Sequence, residues 1–146
     1  MLRREFIRCL QAVAAAPTVG PLSVLLGSCA PGGVILNVTA ANGRVVIPES
    51  DLSTESLSTS YARVYIDESR NPIYVFKDAN GAMVALSGIC SHRGCTVKKL
   101  RDGFECPCHG SEYDLDGKVR TGPALNPLKA YEIKAVGNEY VLSIID

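Results

Sequence analysis

One short window of this 146-residue chain, from Cys90 to His109, holds both of its histidines and every cysteine except Cys9 and Cys29. The window reads C-S-H-R-G-C, then ten residues, then C-P-C-H. Thiolates and imidazoles are the side chains that bind soft and borderline metals. The window therefore predicts a metal centre, and the fold must bring two separate short loops together to build it.

Three interpretations of this window are open. Four cysteines in an exported domain can form two disulfides, but that interpretation leaves each histidine beside a cysteine by coincidence. A structural zinc site would use two cysteines and two histidines. Zinc fingers usually group their cysteines and then their histidines, however, whereas each half of this window supplies one of each. The third interpretation is an iron–sulfur cluster with mixed ligands.

The half-motifs C-x-H-x-G-C and C-P-C-H-G-S resemble the signature of the Rieske 2Fe-2S proteins, in their high-potential, disulfide-containing form. The resemblance runs from about Val34 to the C-terminus. In this family two histidines replace two cysteines on one iron, which raises the reduction potential. The resemblance implies one 2Fe-2S cluster per chain, with Cys90 and Cys106 on one iron, His92 and His109 on the other, and a disulfide between Cys95 and Cys108.

Residues beside the ligand positions also resemble the family. Ser111 and Tyr113 stand where family members place hydroxyls that donate hydrogen bonds to a bridging sulfur and a cysteine sulfur. Such bonds stabilise the reduced cluster and raise its potential. Gly122 and Pro123 resemble the start of the proline loop that shields the cluster, although this chain has Leu125 where the family often has a second proline.

The N-terminal segment predicts export. Its R-R-E-F-I sequence resembles the core of a twin-arginine signal, and a charge-free stretch follows from Cys9 to Gly43. We interpret residues 1–28 as the signal peptide or a possible membrane anchor, 29–36 as a tether, and 37–146 as the 2Fe-2S domain. The L-G-S-C sequence that ends at Cys29 resembles a lipobox, which predicts a lipid at Cys29 on the periplasmic side of the membrane. An uncleaved N-terminal helix is the alternative anchor.

The rest of the chain predicts an all-β domain. Its 15 basic and 15 acidic residues give no net charge and do not favour nucleic-acid binding. Short β-branched and aromatic runs between turn signals predict seven strands: 34–39, 44–48, 62–66, 72–77, 82–87, 128–135 and 139–145. The serine-rich segment 50–60 is interpreted as a solvated loop with room for one helical turn. The expected architecture is an antiparallel β sandwich with a small cluster-binding subdomain, at about 88–127, inserted between Ser87 and Leu128.

One-electron transfer is the expected function. Four protein ligands saturate both irons and leave no open position for a substrate, so no catalytic residue is assigned. The resemblance implies a redox partner, either a cytochrome or a quinol-oxidising complex. Three alternatives remain: a membrane-tethered periplasmic carrier or oxidoreductase subunit, the Rieske subunit of a cytochrome bc-type quinol:cytochrome c oxidoreductase, and a structural zinc-binding interaction module.

Arg93 helps to separate the first two alternatives. In cytochrome bc complexes the residue after the first ligand histidine is usually apolar and packs into the quinol pocket. An arginine there, with Lys98, Lys99 and Arg101 nearby in sequence, predicts a basic docking tip.

Overall fold

A computed structural model describes residues 33–52 and 61–145. The predicted leader and Cys29 lie outside the described residues, as does most of the serine-rich segment. In chain order the elements are β1 (Val34–Val38), β2 (Arg44–Pro48), a 3-10 turn (Glu49–Leu52), β3 (Ala62–Ile66), β4 (Ile73–Lys77), β5 (Met83–Ser87), β6 (Lys98–Lys99), β7 (Phe104–Glu105), β8 (Glu112–Tyr113), β9 (Val119–Thr121), β10 (Ala130–Val136) and β11 (Glu139–Ser143). No helix in these two ranges is long and apolar enough to cross a membrane.

The seven longest strands form one sheet, in the order β1-β3-β4-β5-β10-β11-β2. Strand β10 pairs with β5 through Ala130 and Tyr131 and with β11 from Glu132 onward. It therefore passes from one layer of the sandwich to the other. The all-β prediction is confirmed, and each predicted long strand is present within two residues of its expected ends.

One strand pair departs from the antiparallel expectation. Strands β1 and β3 run parallel, with Val34 opposite Ala62. Between β1 and β3 the chain forms β2, which pairs with β11 in the other layer. The chain then returns to the first layer, and β3 starts at the same end of the sheet as β1. A crossover of this kind is what a parallel pair requires. The connection includes residues outside the described ranges.

Strand β4 is buried on both faces. Ile73 and Val75 point into the core of the sandwich, whereas Tyr74 and Phe76 belong to a second apolar cluster on the opposite face. This explains why its I-Y-V-F sequence lacks the alternation of polar and apolar residues that a half-exposed strand shows. The second cluster also contains the buried residues of the predicted metal window, so the window packs against this face of β4.

The short strands form a second sheet, in the order β6-β7-β8-β9. Because all its neighbours are antiparallel, the start of β6, the end of β7, the start of β8 and the end of β9 lie at one end of this sheet. Residues 90–97 lead into β6, residues 106–111 join β7 to β8, and residues 122–129 follow β9. The fold therefore gathers three loops at one end, and the turns at 100–103 and 114–118 lie at the other.

Candidate metal centre

The two halves of the metal window adopt the same backbone conformation. In residues 90–95 and again in 106–111, the N–H of the first residue donates to the carbonyl of the sixth, at 2.8 Å in both. The N–H of the fifth residue, Gly94 or Gly110, donates back to the carbonyl of the first, at 2.9 and 3.0 Å. These glycines have φ values of +76° and +75°, a conformation that residues with a Cβ rarely adopt. Two matching loops thus face each other at the end of the small sheet.

A disulfide joins the two loops, as the resemblance implied. Cys95 and Cys108 are bonded, with their Cα atoms 6.5 Å apart. Cys90 and Cys106 are free thiols and are almost fully buried. The interpretation of the window as two disulfides is therefore wrong, and two thiols remain available as metal ligands.

The two histidine rings lie next to each other. The ring centroids of His92 and His109 are 4.8 Å apart, with the ring planes nearly perpendicular at 88°. His109 is exposed and His92 is half-buried. The Nδ1 atom of His92 is itself buried, yet it has no hydrogen-bond partner among the described residues. A buried polar atom without a partner is costly, and coordination of an iron would remove that cost.

Hydrogen bonds around Cys90 favour its thiolate form. Burial raises the pKa of the Cys90 thiol, but hydrogen bonds from the Tyr113 hydroxyl, the His92 N–H, the Cys106 thiol and the Arg93 N–H outweigh burial and hold that pKa below its ordinary value. The thiolate is the form that ligates metals. Two thiols, two imidazoles and the partnerless Nδ1 therefore fit the donor set of a mixed-ligand 2Fe-2S cluster.

Tyr113 connects this sulfur to the rest of the subdomain. Its hydroxyl oxygen is 3.1 Å from Sγ of Cys90 and 3.2 Å from both N and Oγ of Ser91. The Ser91 hydroxyl donates to the carbonyl of Asn126 at 2.5 Å. Since that bond uses the only Ser91 hydroxyl hydrogen, the Tyr113 hydrogen is the one left for Cys90 Sγ or Ser91 Oγ. Burial and the bond to Cys90 raise the pKa of Tyr113, so it stays a donor.

Ser111 contacts the third of the three loops gathered at this end, residues 122–129. Its hydroxyl oxygen is fully buried and accepts the N–H of Ala124 at 3.0 Å. Its own hydrogen is still available to a further acceptor. The peptide bond from Gly122 to Pro123 is cis, and the Leu125 side chain is 91% exposed. The third loop therefore lies against the second loop through Ser111 and against the first through Ser91.

The structure brings all the predicted site residues that it describes to this end of the small sheet. Cys29 lies outside the described residues. Sequence reasoning missed Ser91 and Asn126, which complete the hydrogen-bond chain from Cys90 to the third loop. The only signal available was a hydroxyl directly after a ligand cysteine, and serine in a loop is ordinary turn chemistry.

Comparison with known proteins agrees with this geometry. The family model described as the Rieske 2Fe-2S domain matches residues 44–132. The cytochrome b6-f complex iron-sulfur subunit of Chlorobaculum tepidum is 41% identical over 81 residues, which cover 49% of this chain and 45% of that protein. The cytochrome b6-f complex iron-sulfur subunit 3 of Nostoc sp. is 28% identical over 155 residues, covering 97% of this chain and 84% of that protein. The chain thus spans less than half the length of the Chlorobaculum tepidum protein.

A solved structure supports the fold alone. The complex of reduced oxygenase and oxidized ferredoxin in carbazole 1,9a-dioxygenase contains a chain that superposes with a TM-score of 0.53 at 18% identity, covering 70% of this chain and 94% of that one. The family match includes both cysteine–histidine loops, and the loops hold a donor set that suits a cluster with mixed ligands. The chain belongs to the Rieske family of 2Fe-2S proteins, and the cofactor of its domain is a 2Fe-2S cluster.

Proposed function

We propose that this chain transfers one electron at a time through a cluster held by Cys90 and Cys106 on one iron and by His92 and His109 on the other. The observation that carries this proposal is the pair of matching loops. They bury two free thiols and set two histidine rings 4.8 Å apart at the exposed end of the subdomain. The bound group supplies the reversible one-electron couple. The protein residues set its potential and its exposure.

The residues around the ligands have separate roles in this proposal. Tyr113 would donate a hydrogen bond to the Cys90 thiolate, and Ser111 would donate its free hydroxyl hydrogen to a sulfur of the bound cluster. Both bonds favour the more negative, reduced cluster and raise its potential. Gly122 and Pro123 begin the loop that covers the third side of the site and keeps water away from it.

The proposed partners are those of a cytochrome bc-type electron-transfer complex. The relatives with the names quoted above are subunits of cytochrome b6-f complexes, which supports membership of such a complex for this chain as well. In that setting a cluster held by these four residues would relay one electron from a quinol-oxidising site to a cytochrome. The proposed contact with both partners is made at the two histidine rings, of which His109 is exposed and His92 is half-buried.

A second candidate, a membrane-tethered carrier outside such a complex, is favoured by Arg93. Its side chain is exposed between His92 and Gly94, where a quinol pocket would meet the tip. The structure leaves fewer basic side chains at this tip than the sequence predicted. Lys99 lies over the rings of Phe76 and Phe104, and Arg101 is in the turn at the far end of the small sheet.

Substitution of Arg93 distinguishes the two candidate functions. If an acidic carrier protein docks at the tip, Arg93→Leu should slow electron transfer to it and weaken the dependence of the rate on salt. Arg101→Leu, at the opposite end, is the matched control. A gain in quinol-dependent reduction by Arg93→Leu would instead support the quinol-oxidising complex. Equal rates and salt dependence in both variants would mean that Arg93 does not contact the partner.

The proposed location is the periplasmic side of the membrane, reached by the twin-arginine route. The R-R-E-F-I segment and the L-G-S-C sequence before Cys29 support this, and Cys29 is the proposed lipid attachment site. Mass spectrometry of the mature N-terminus in a bacterial host tests both. A diacylglyceryl mass on Cys29 is expected, whereas an intact residue 1 would mean an uncleaved N-terminal anchor.

The ligand proposal is tested by the visible absorbance and the iron and sulfide content of the full chain. Two irons and two sulfides per chain are expected, and His92→Ala or Cys106→Ser should abolish them. Ser143→Ala, in β11, is the control. Retention of the cluster after replacement of any proposed ligand would reject that ligand, and bound zinc in place of iron would support the interaction module.

A further inference from the structure

A third sulfur lies beside the disulfide that joins the two loops. The Sγ atoms of Cys95, Cys106 and Cys108 are all within 4.8 Å of one another. Cys95 and Cys108 are bonded, and Cys106 is a free thiol. A thiolate exchanges with a disulfide by attacking one of its two sulfurs. Reacting atoms in a near-attack geometry are about 3–3.5 Å apart, so the Cys106 side chain must rotate into line with the disulfide before its sulfur can attack.

We propose that Cys106 attacks this disulfide whenever the cluster is absent. The inference rests on the proposed ligand role of Cys106, because an iron bound to its sulfur prevents the attack. In the cluster-free chain the Cys106 thiolate attacks Sγ of Cys95. A Cys95–Cys106 bond forms, the Cys95–Cys108 bond breaks, and Cys108 leaves as a thiolate that takes up the proton lost by Cys106. The exchange needs no oxidant or reductant.

The surroundings of the three sulfurs favour attack at Cys95. Attack at Cys108 would close a small ring between two cysteines separated only by Pro107, whose φ is fixed. Attack at Cys95 keeps the bond between the two loops. It also moves the free thiol from the buried position of Cys106 to the exposed position of Cys108, where water can hydrogen-bond to it.

The product has two consequences for the chain. Cys106 is now part of a disulfide and cannot ligate iron, so a chain that has lost its cluster no longer accepts a new one. Cys108 becomes a free thiol on the surface, where it can form mixed disulfides with small disulfide-containing molecules. Cys108 is therefore a modification site that opens only in the cluster-free protein.

Two serine variants of the full chain test the exchange. Cys90→Ser removes one proposed ligand but keeps the Cys106 nucleophile, whereas Cys106→Ser removes a ligand and the nucleophile together. Both are incubated without reductant at about pH 8, where a substantial fraction of an ordinary thiol is ionised. They are then alkylated with iodoacetamide and mapped by fragment-ion mass spectrometry. Cys90→Ser should carry the label on Cys108 at least about tenfold more often than Cys106→Ser, and should contain a Cys95–Cys106 bond.

Two outcomes would overturn the proposal. One is a Cys90→Ser protein that carries the label on Cys106 and keeps the Cys95–Cys108 bond. The other is a label on Cys95 with Cys106 bonded to Cys108. Wild-type protein treated with an iron chelator gives the same measurement if Cys90→Ser fails to fold, with the label on Cys108 rising as the visible absorbance falls. That absorbance reports the ligand proposal separately, so failure of the exchange and failure of the ligand set are distinguishable.

Discussion

The seven-stranded sheet and the four-stranded sheet differ in what holds each of them in place. The large sheet has strands of five to seven residues and an apolar core supplied mainly by β2, β3 and β4. The small sheet has strands of only two or three residues. It depends on aromatic contacts with the outer face of β4, on one disulfide and on hydroxyl hydrogen bonds. Such short strands are not stable alone, so the cluster loops are positioned by side-chain and covalent contacts that can be removed one at a time.

Removing one large apolar side chain from each region gives the largest contrast. Phe104→Ala deletes the ring that packs on Tyr74 and Phe76, at a cost of about 3–5 kcal/mol. Ile47→Ala creates a cavity in the core of the large sheet, at a cost of about 2–5 kcal/mol. In urea, Phe104→Ala should lose visible cluster absorbance before far-UV circular dichroism, whereas Ile47→Ala should lose both together. Coincident transitions in Phe104→Ala would mean that the two sheets unfold as one unit.

Removing the disulfide is expected to have the next largest effect, confined to the small sheet. The Cys95→Ala/Cys108→Ala double variant lacks a cross-link between residues 13 apart in sequence. The stabilisation at stake is about 3 kcal/mol. The half-life of the cluster absorbance in mild denaturant should shorten strongly, with the far-UV midpoint of the large sheet nearly unchanged. An unchanged cluster half-life would show that the three loops hold their positions without the cross-link.

Tyr113→Phe tests the hydroxyl network. The variant keeps the buried ring and loses the hydroxyl, which contacts Cys90 and Ser91. The reduction potential should fall by on the order of 50 mV, since one hydrogen bond contributes about 1 kcal/mol and about 1.4 kcal/mol corresponds to about 59 mV for one electron. Tyr140→Phe, in β11, is the matched control. Equal potentials in wild type and Tyr113→Phe would remove Tyr113 from the set of tuning residues.

Tyr74 gives the smallest expected effect and joins the two sheets. Its hydroxyl donates to the Val97 carbonyl at 2.7 Å, so Tyr74→Phe should cost about 1 kcal/mol at neutral pH. Burial raises the pKa of Tyr74 from 10.0 to about 12. The folded protein therefore keeps a proton that the unfolded chain releases above about pH 10. This contribution is fully present below pH 10 and is lost as the pH rises towards 12.

Urea midpoints at about pH 8 and about pH 11 check the Tyr74 prediction. The wild type should lose more stability between the two pH values than Tyr74→Phe does, because the other tyrosines are common to both proteins. An equal loss in the two proteins would show that Tyr74 does not couple to folding in this range.

The difference in strand length between the two sheets also explains which elements could be predicted from the sequence. The long strands were predictable because five or more β-branched and aromatic residues between turn signals have few other structures open to them. Two-residue strands such as β6 carry no periodicity, so the small sheet was predicted only as an inserted subdomain. The parallel β1–β3 pair depends on where β2 lies, which no local pattern reports.

At the metal centre the cysteine–histidine motif was informative, whereas the residues around it gave few signals in the sequence. The spacing of cysteines and histidines predicted the window, and the resemblance implied the Cys95–Cys108 bond. The contact from Ser91 to Asn126 was not predictable, because it joins loops 35 residues apart through a backbone carbonyl. The position of Lys99 over two rings was also hidden, since a lysine in a basic run is usually a solvated charge.

Electron paramagnetic resonance of the reduced full-length protein, with resolved nitrogen hyperfine couplings, tests the ligand assignment most directly. The proposed ligand set predicts a 2Fe-2S signal with an average g value below that of an all-cysteine cluster, and with strong coupling to two histidine nitrogens. His92→Ala and His109→Ala should each abolish that signal. An all-cysteine spectrum without nitrogen coupling, or bound zinc with no signal, would contradict it.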